Sequence, residues 1–245
     1  MTTPTLTAFA APKGGVSLPR GGPAGGLTDR RGRVLTRREA LALLGAAPLV
    51  FAPLRAAAAC VATPAQTEGP FFVDTRLERG DVRGEPGGAA PRAGTPLALE
   101  LTVSRMGAAG CAPLAGALVD IWHCDADGVY SGTRGSERFL RGYQVSDANG
   151  RVRFVTIYPG WYPGRAVHIH FKVRSGARDL TSQFYFDDAF SDRVFARAPY
   201  AARGRPDVRN ARDFLYRQGG RELTLAPVER DGGLAATFDI ALQMA

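Results

Sequence analysis

Beyond residue 60, short apolar segments alternate with turn signals, and this pattern restricts the fold more than any other feature. In residues 96–103 every second side chain is leucine or valine, which is the period of a strand with one buried face. Sequences such as Asp-Ala-Asp-Gly, Asp-Ala-Asn-Gly and Pro-Gly interrupt the apolar segments. We therefore predict an all-β fold, a β-sandwich core with long loops that bear a functional site.

The same reasoning predicts further strands at residues 117–122, 151–158, 167–173, 223–225 and 236–242. No long helical period follows residue 60, although residues 207–216 are compatible with a short helix. A chain of 245 residues with 45% hydrophobic side chains is long enough to bury a sizeable core. We predict a leader at residues 1–59 and one folded domain at residues 60–245.

The net charge of +8 is concentrated in the leader. Residues 1–59 carry eight basic and two acidic side chains, so the remaining chain is close to balanced. Because it also has no basic run, it offers no basis for phosphate-driven binding, and we expect no nucleic-acid partner.

The leader has the order of an export signal. Arg37 and Arg38 precede an apolar stretch at residues 40–54, and four alanines follow at residues 56–59. This resembles a twin-arginine signal and predicts export to the periplasm or beyond the cell. Pro48, Pro53 and the short apolar length argue against a stable membrane span. A disordered tail with a chance arginine pair is the alternative, and we do not expect Cys60 to be lipidated.

Three cysteines, Cys60, Cys111 and Cys124, are available in a chain addressed to an oxidising compartment. One disulfide and one free thiol are arithmetically possible. Cys111 and Cys124 flank a predicted strand, and a bridge between them is as plausible as none. Their spacing does not match a zinc site.

Two of the three histidines lie as His168-Ile169-His170 in a predicted strand. The two-residue period places both imidazoles on one face, where they can bind the same metal ion. Taken alone, this pattern also fits two histidines that only form hydrogen bonds on a half-exposed face. As a metal site it would suit zinc or copper as well as iron.

Two tyrosines lie in turns near this pair in the sequence. Tyr162 lies six residues before His168, and Tyr130 ends a loop after a predicted buried strand. No carboxylate or thiolate accompanies the histidines to balance a metal's charge, whereas phenolates can do so on a hard ion such as iron(III). Each tyrosine alone is equally compatible with an amphipathic residue that closes the core.

Several segments occur in the order seen in intradiol ring-cleavage dioxygenases, and the chain resembles that family over residues 60–242. They are Thr67-Glu-Gly-Pro-Phe-Phe72, Val119-Asp-Ile-Trp122, Gly128-Val-Tyr-Ser-Gly132, Pro159-Gly-Trp-Tyr162, Arg165-Ala-Val-His-Ile-His-Phe171 and Gln183-Phe-Tyr-Phe186.

The resemblance implies a non-haem Fe(3+) ion held by Tyr130, Tyr162, His168 and His170. It implies cleavage of a catechol-type ring between its two hydroxyl-bearing carbons with O2, which gives a cis,cis-muconate-type product. Tyr162 would also accept a substrate proton, Arg165 would stabilise negative charge on the substrate, and Gln183 would lie beside Arg165. The implied partners are a small aromatic diol and O2, and a homo-oligomer is left open.

Two departures limit how far the family's properties transfer. The chain leaves no room for the helical N-terminal domain of the catechol-type enzymes, and the linker from Tyr162 to His168 is short. The catechol derivative is therefore not specified. His123 has no ligand position in the family pattern, so we expect it either to support the ligands from outside or to be structural. We expect Asp125 and Asp127 to form a turn rather than a calcium loop.

Two other functions fit part of the pattern. A zinc hydrolase would combine His168 and His170 with a carboxylate such as Asp187 or Asp188. Alternatively, the β-sandwich would bind aromatic compounds without turnover.

Overall fold

The computed structural model describes residues 60–88, 90–108 and 110–243. They belong to one compact unit, Ala57–Ala245. The predicted leader at residues 1–59 lies outside the described residues, so its export signal stays a prediction. Within the described ranges, no helix is both long and apolar enough to cross a membrane.

The first of two sheets is built around one long strand. Its members are β1 (Pro96–Gly107), β2 (Gly110–Pro113), β5 (Arg151–Ile157), β9 (Val228–Arg230) and β10 (Gly233–Gln243). One edge of β1 pairs in parallel with β10. The other edge pairs antiparallel with β5 and then with β2, because each of these strands covers only part of its length.

The second sheet has the order β4-β3-β6-β7-β8. Its members are β3 (Leu118–Trp122), β4 (Arg141–Val145), β6 (His168–Ser175), β7 (Arg178–Phe186) and β8 (Thr224–Leu225). All neighbours are antiparallel except β7 and β8. The predicted all-β sandwich is thereby confirmed.

The hydrophobic core joins alternate residues of the two sheets. Leu97, Leu99 and Leu101 of β1 and Ile169 and Phe171 of β6 are all at most 1% exposed and belong to one cluster. Each such side chain contributes about 1.5–3 kcal/mol when fully buried. Because strand side chains alternate, burial of these β6 residues places their neighbours on the outer face of the second sheet.

The predicted strands are all present with shifted ends, whereas four strands escaped prediction: β2, β4, β7 and β9. A helix, α1 (Asp188–Phe195), also escaped prediction, although Asp187 caps it by accepting from the Phe190 amide at 2.8 Å.

The short helix considered possible at residues 207–216 is not formed. The structure has only a 3-10 turn at Asn210–Arg212 there, followed by turns. The Asp213 carboxylate accepts from the amides of Leu215 and Tyr216 at 2.8 and 2.9 Å. These side-chain bonds compete with the helical pattern.

The Cys111–Cys124 bridge considered from the sequence is also wrong. Cys60 and Cys111 form the disulfide, with Cα atoms 5.4 Å apart, and Cys124 is free and buried. Cys111 lies on β2 in the first sheet, whereas Cys124 follows β3 in the second and packs with Trp122 and Tyr130. Closeness in sequence therefore did not bring these two cysteines together.

Candidate active site

The outer face of the second sheet carries the two histidines predicted as metal ligands. His168 and His170 of β6 are 2% and 1% exposed. On the flanking strands, Trp122 of β3 and Gln183 of β7 both pair with His170, and Tyr185 of β7 pairs with His168. The Trp122 indole stacks on the His170 imidazole, with ring centroids 4.8 Å apart. Sheet register therefore fixes the floor of the site.

The two predicted tyrosine ligands come from loops that contact each other. Tyr130 lies in the loop after β3 and Tyr162 in the loop after β5. The Gly160 amide donates to the Asp125 carbonyl at 3.1 Å. Gly128, at φ +77°, lies so close to the Trp161 carbonyl that a Cβ would collide with it. The glycines therefore allow both loops to hold their tyrosines over the histidines.

Four polar atoms converge at this place. The Nε2 atoms of His168 and His170 are 3.1 Å apart. The Oη atoms of Tyr130 and Tyr162 lie 3.4 and 3.3 Å from His168 Nε2. Ligands bound at about 2.0–2.2 Å have neighbouring donor atoms at such separations, so this donor set fits a transition-metal ion.

The protonation states of the histidines also fit a metal. Burial lowers the pKa of His168 to about 3 and that of His170 well below its ordinary value, so both imidazoles are neutral at neutral pH. Nδ1 of His168 lies 2.7 Å from the Ala166 carbonyl. If Nδ1 carries the proton, the Nε2 lone pair faces the other ligands.

The tyrosines require a Lewis acid before they can act as anionic ligands. Burial raises the pKa of Tyr130 well above its ordinary value and also raises that of Tyr162. Both phenols are therefore neutral without a metal. Among the described residues, no three His, Cys, Asp or Glu side chains form a metal-binding group; the donor set described here consists of two imidazoles and two phenols.

Arg165 and Gln183 contact each other beside the histidines. Arg165 Nη2 donates to Gln183 Oε1 at 2.6 Å, and its Nε donates to Asp213 at 2.8 Å. The Gln183 amide in turn donates to the Thr67 carbonyl at 3.1 Å. Burial alone would lower the pKa of Arg165, but Asp213 raises it above the ordinary value. Arg165 is therefore held as a cation.

A cavity of about 900 Å³ opens beside the tyrosines. Phe71, Tyr130, Tyr162 and Phe139 contribute aromatic surface to its wall, and Arg134 is among the charged residues lining it. Phe71 stacks on Tyr130 with ring centroids 4.3 Å apart. The cavity therefore offers aromatic contacts next to the four converging atoms.

His123 and Asp125 form hydrogen bonds outside the four converging atoms. The ring nitrogens of His123 lie 2.8 Å from the Cys124 carbonyl and 2.6 Å from Thr156 Oγ1, away from the other histidines' partners. Asp125 accepts from the amides of Asp127 and Val129 at 3.0 and 2.9 Å, as a turn-forming residue does.

Two buried residues of the site were missed from the sequence. Arg141 donates to Ser131 and to the Phe71 carbonyl, and so ties the Tyr130 loop to the segment before β1. Asp213 holds Arg165. The contacts that tie them to the site were not visible in the sequence, because Phe71 lies 70 residues from Arg141 and Arg165 lies 48 residues from Asp213.

Comparison with known proteins defines the class and then the family. The family model described as Dioxygenase matches residues 67–243, which include every predicted site residue. Similar curated proteins include chlorocatechol 1,2-dioxygenases and a protocatechuate 3,4-dioxygenase beta chain, and the chain belongs to the intradiol ring-cleavage dioxygenase family.

A chlorocatechol 1,2-dioxygenase of Pseudomonas putida is 36% identical over 95 residues, which are 30% of this chain and 36% of that protein. The chain thus spans little more than a third of that curated relative's length. An intradiol ring-cleavage dioxygenase from Tetranychus urticae superposes with a TM-score of 0.68 and 28% identity, covering 75% of this chain and 95% of that one. The dioxygenase domain of a carbohydrate-binding fusion from Streptomyces sp. SirexAA-E gives 0.58 and 32%, covering 76% and 100%.

Proposed function

We propose that this protein is a non-haem iron(III) dioxygenase that cleaves a catechol-type ring between its two hydroxyl-bearing carbons with O2. The expected product is a cis,cis-muconate-type diacid. The observation that carries the proposal is the convergence of two phenol oxygens and two imidazole nitrogens, 3.1–3.4 Å apart where measured, beside an aromatic-walled cavity. When bound, iron(III) supplies a hard Lewis acid that ionises phenols and activates a catechol towards oxygen.

The two tyrosines differ in accessibility, and we assign them different roles. Tyr130 is 6% exposed and stacked under Phe71, so it suits a permanent ligand. Tyr162 is only partly buried and meets Phe71 edge-on at 5.5 Å. Its Oη is the atom we assign to accept a proton from a substrate hydroxyl.

Arg165 is the group that we assign to stabilise negative charge developing on the substrate ring. Its cationic state is supported by Asp213, and its direction is set by Gln183. The cavity of about 900 Å³ leaves room for ring substituents beyond the two hydroxyls.

A zinc hydrolase has less support, because the carboxylates it needs are engaged elsewhere. Asp187 caps α1, and Asp188 accepts from the Asn210 amide at 3.3 Å and lies 3.6 Å from Arg209. Neither is grouped with His168 and His170.

We also propose export to the periplasm or beyond the cell. The leader motif is one support, and the Cys60–Cys111 disulfide is an independent one, because such bonds persist in oxidising compartments. Export is tested by fractionating cells that express the full chain and, in parallel, cells that express an Arg37→Lys, Arg38→Lys variant. Retention of the wild-type protein in the cytoplasm would contradict it.

The function is tested by an absorption spectrum of purified protein with and without catechol, followed by product analysis. We expect a tyrosinate-to-iron band in the visible range that shifts when catechol is added. A chelator should remove both colour and activity, and iron should restore them where zinc does not. A colourless protein with stoichiometric zinc, or a ring cleaved beside the hydroxyls, would refute the proposal.

A Tyr162→Phe variant provides the matched spectroscopic test. The visible band should move, because one of two phenolate ligands is lost, and turnover should fall. Tyr143→Phe is the control, since Tyr143 lies on β4 outside the cluster; its band should be that of the wild type.

A further inference from the structure

Asp213 is the most highly bonded buried carboxylate beside the site. It is 1% exposed. One oxygen accepts from Arg165 Nε at 2.8 Å and from the Ala166 amide at 2.7 Å, and the other accepts from the amides of Leu215 and Tyr216. Four donors on one buried carboxylate fix its position.

The backbone of Ala166 links Asp213 to a proposed metal ligand. Its N–H, in the peptide group shared with Arg165, donates to Asp213, and its carbonyl, in the next peptide group, lies 2.7 Å from His168 Nδ1. The carboxylate therefore anchors the residue whose carbonyl faces His168. Asp213 also holds the guanidinium of the preceding residue, Arg165, whose Nη2 donates to Gln183 and Tyr185.

We propose that Asp213 is the positioning residue of this site, holding Arg165 directly and His168 through the backbone of Ala166. This inference deepens the proposed function and rests on it for its kinetic consequence. Asp213 does not reach the cavity, so it acts only through the residues it holds. The physical basis is that outer partners fix the orientation and basicity of the groups that do the chemistry.

The kinetic test compares Asp213→Asn with Asp192→Asn in the iron-loaded full chain. Asparagine keeps the size but turns one acceptor into a donor towards Arg165 and Ala166 or towards Leu215 and Tyr216. We expect kcat to fall about 10–100-fold, with KM changed by less than threefold. Asp192 also pairs with an arginine, Arg209 at 2.6 Å, but outside the site, and its variant should stay within twofold of wild type.

A double-mutant cycle separates positioning from general loss of structure. If Asp213 acts largely through Arg165, Asp213→Asn should cost at least fivefold less in an Arg165→Gln background than in the wild type. Asp213→Glu should restore part of the lost kcat. Additive losses would refute the Arg165 arm of the proposal, and an unchanged kcat in Asp213→Asn would overturn the proposal as a whole.

A second readout needs no turnover. The chain has only three histidines, so nitrogen NMR of the metal-free full chain can report each imidazole's tautomer. We expect the Nδ1–H form for His168 in the wild type and a mixture in Asp213→Asn, with His123 unchanged as internal control. An Nε2–H form in the wild type would refute the His168 arm even if the variant does not fold. The expected tautomers in a protein without ring cleavage would instead refute only the proposed function.

Discussion

The two faces of β6 show how one strand serves two purposes. On the inner face, Ile169, Phe171 and Val173 are fully buried in the sandwich core. On the outer face, His168 and His170 are almost as buried, but their neighbours are aromatic rings and polar atoms. The inner residues need only an apolar neighbour of suitable size, whereas the outer ones need specific atoms at specific distances. Burial alone therefore does not separate core from site.

Loss of a proposed metal ligand on the outer face should have the largest effect on function. In His170→Ala we expect iron affinity or activity to fall more than about 100-fold, because changes to the outer partners of metal ligands alone cost about 10–100-fold. In the metal-free protein, loss of the stacking on Trp122 should cost about 1 kcal/mol in addition to the loss of the buried ring itself. Iron titration and thermal unfolding measure the two quantities. Unfolding of the metal-free variant at ordinary temperature would contradict this division.

The adjacent inner-face residue should behave in the opposite way. Phe171→Ala should lower the free energy of unfolding by about 3–5 kcal/mol, because it leaves a cavity against Phe184, whose ring centroid is 4.2 Å away. The fraction that remains folded should bind iron with the wild-type visible band. Denaturant unfolding measures the loss, and a shifted band in the folded protein would show that the two faces are coupled.

The Cys60–Cys111 disulfide lies on neither face of β6, and its loss should lower stability without changing activity. Replacing Cys60 and Cys111 together by serine should cost about 2–4 kcal/mol, since the bond closes a loop across a sequence separation of 51. Activity per folded molecule should not change. Unfolding with and without reductant checks this, because the reductant should have no effect on the double variant.

Cys124 should show the smallest effect, although it packs against the site. Burial raises the pKa of its thiol to about 12, so the thiol is neutral, and alkylation requires the thiolate. Iodoacetamide at pH 8 should leave Cys124 unmodified in the native protein and modify it after denaturation. Mass spectrometry measures both states, and rapid native modification would contradict the burial.

The sequence predicted the inner face of the sandwich better than its edges. Leucines at every second position identified β1, whereas β2, β4 and β9 are three to five residues long and too short to show a period. The longer β7 lacks clear alternation because its last five residues are all buried. The short helix considered possible at residues 207–216 is not formed, and there the Asp213 carboxylate binds the amides of Leu215 and Tyr216.

For the site, spacing predicted that His168 and His170 share a face, and the structure agrees. It could not place Tyr130 and Tyr162 beside them, because that depends on contact between two loops from different strands. The resemblance to a family supplied both tyrosines, Arg165 and Gln183. Their catalytic roles remain predictions. Asp213 was missed by both routes, since its link to Arg165 spans 48 residues.

The parallel pairing of β1 with β10 has a consequence for how the chain acquires its fold. Leu97 at the start of β1 lies beside Leu234, almost at the end of the described residues. The first sheet therefore cannot close until nearly the whole domain has left the ribosome. Such long-range pairing makes folding slow, and the exposed edge of β1 invites aggregation during the delay. We expect chains truncated before β10 to be recovered as insoluble material rather than as a partly active domain.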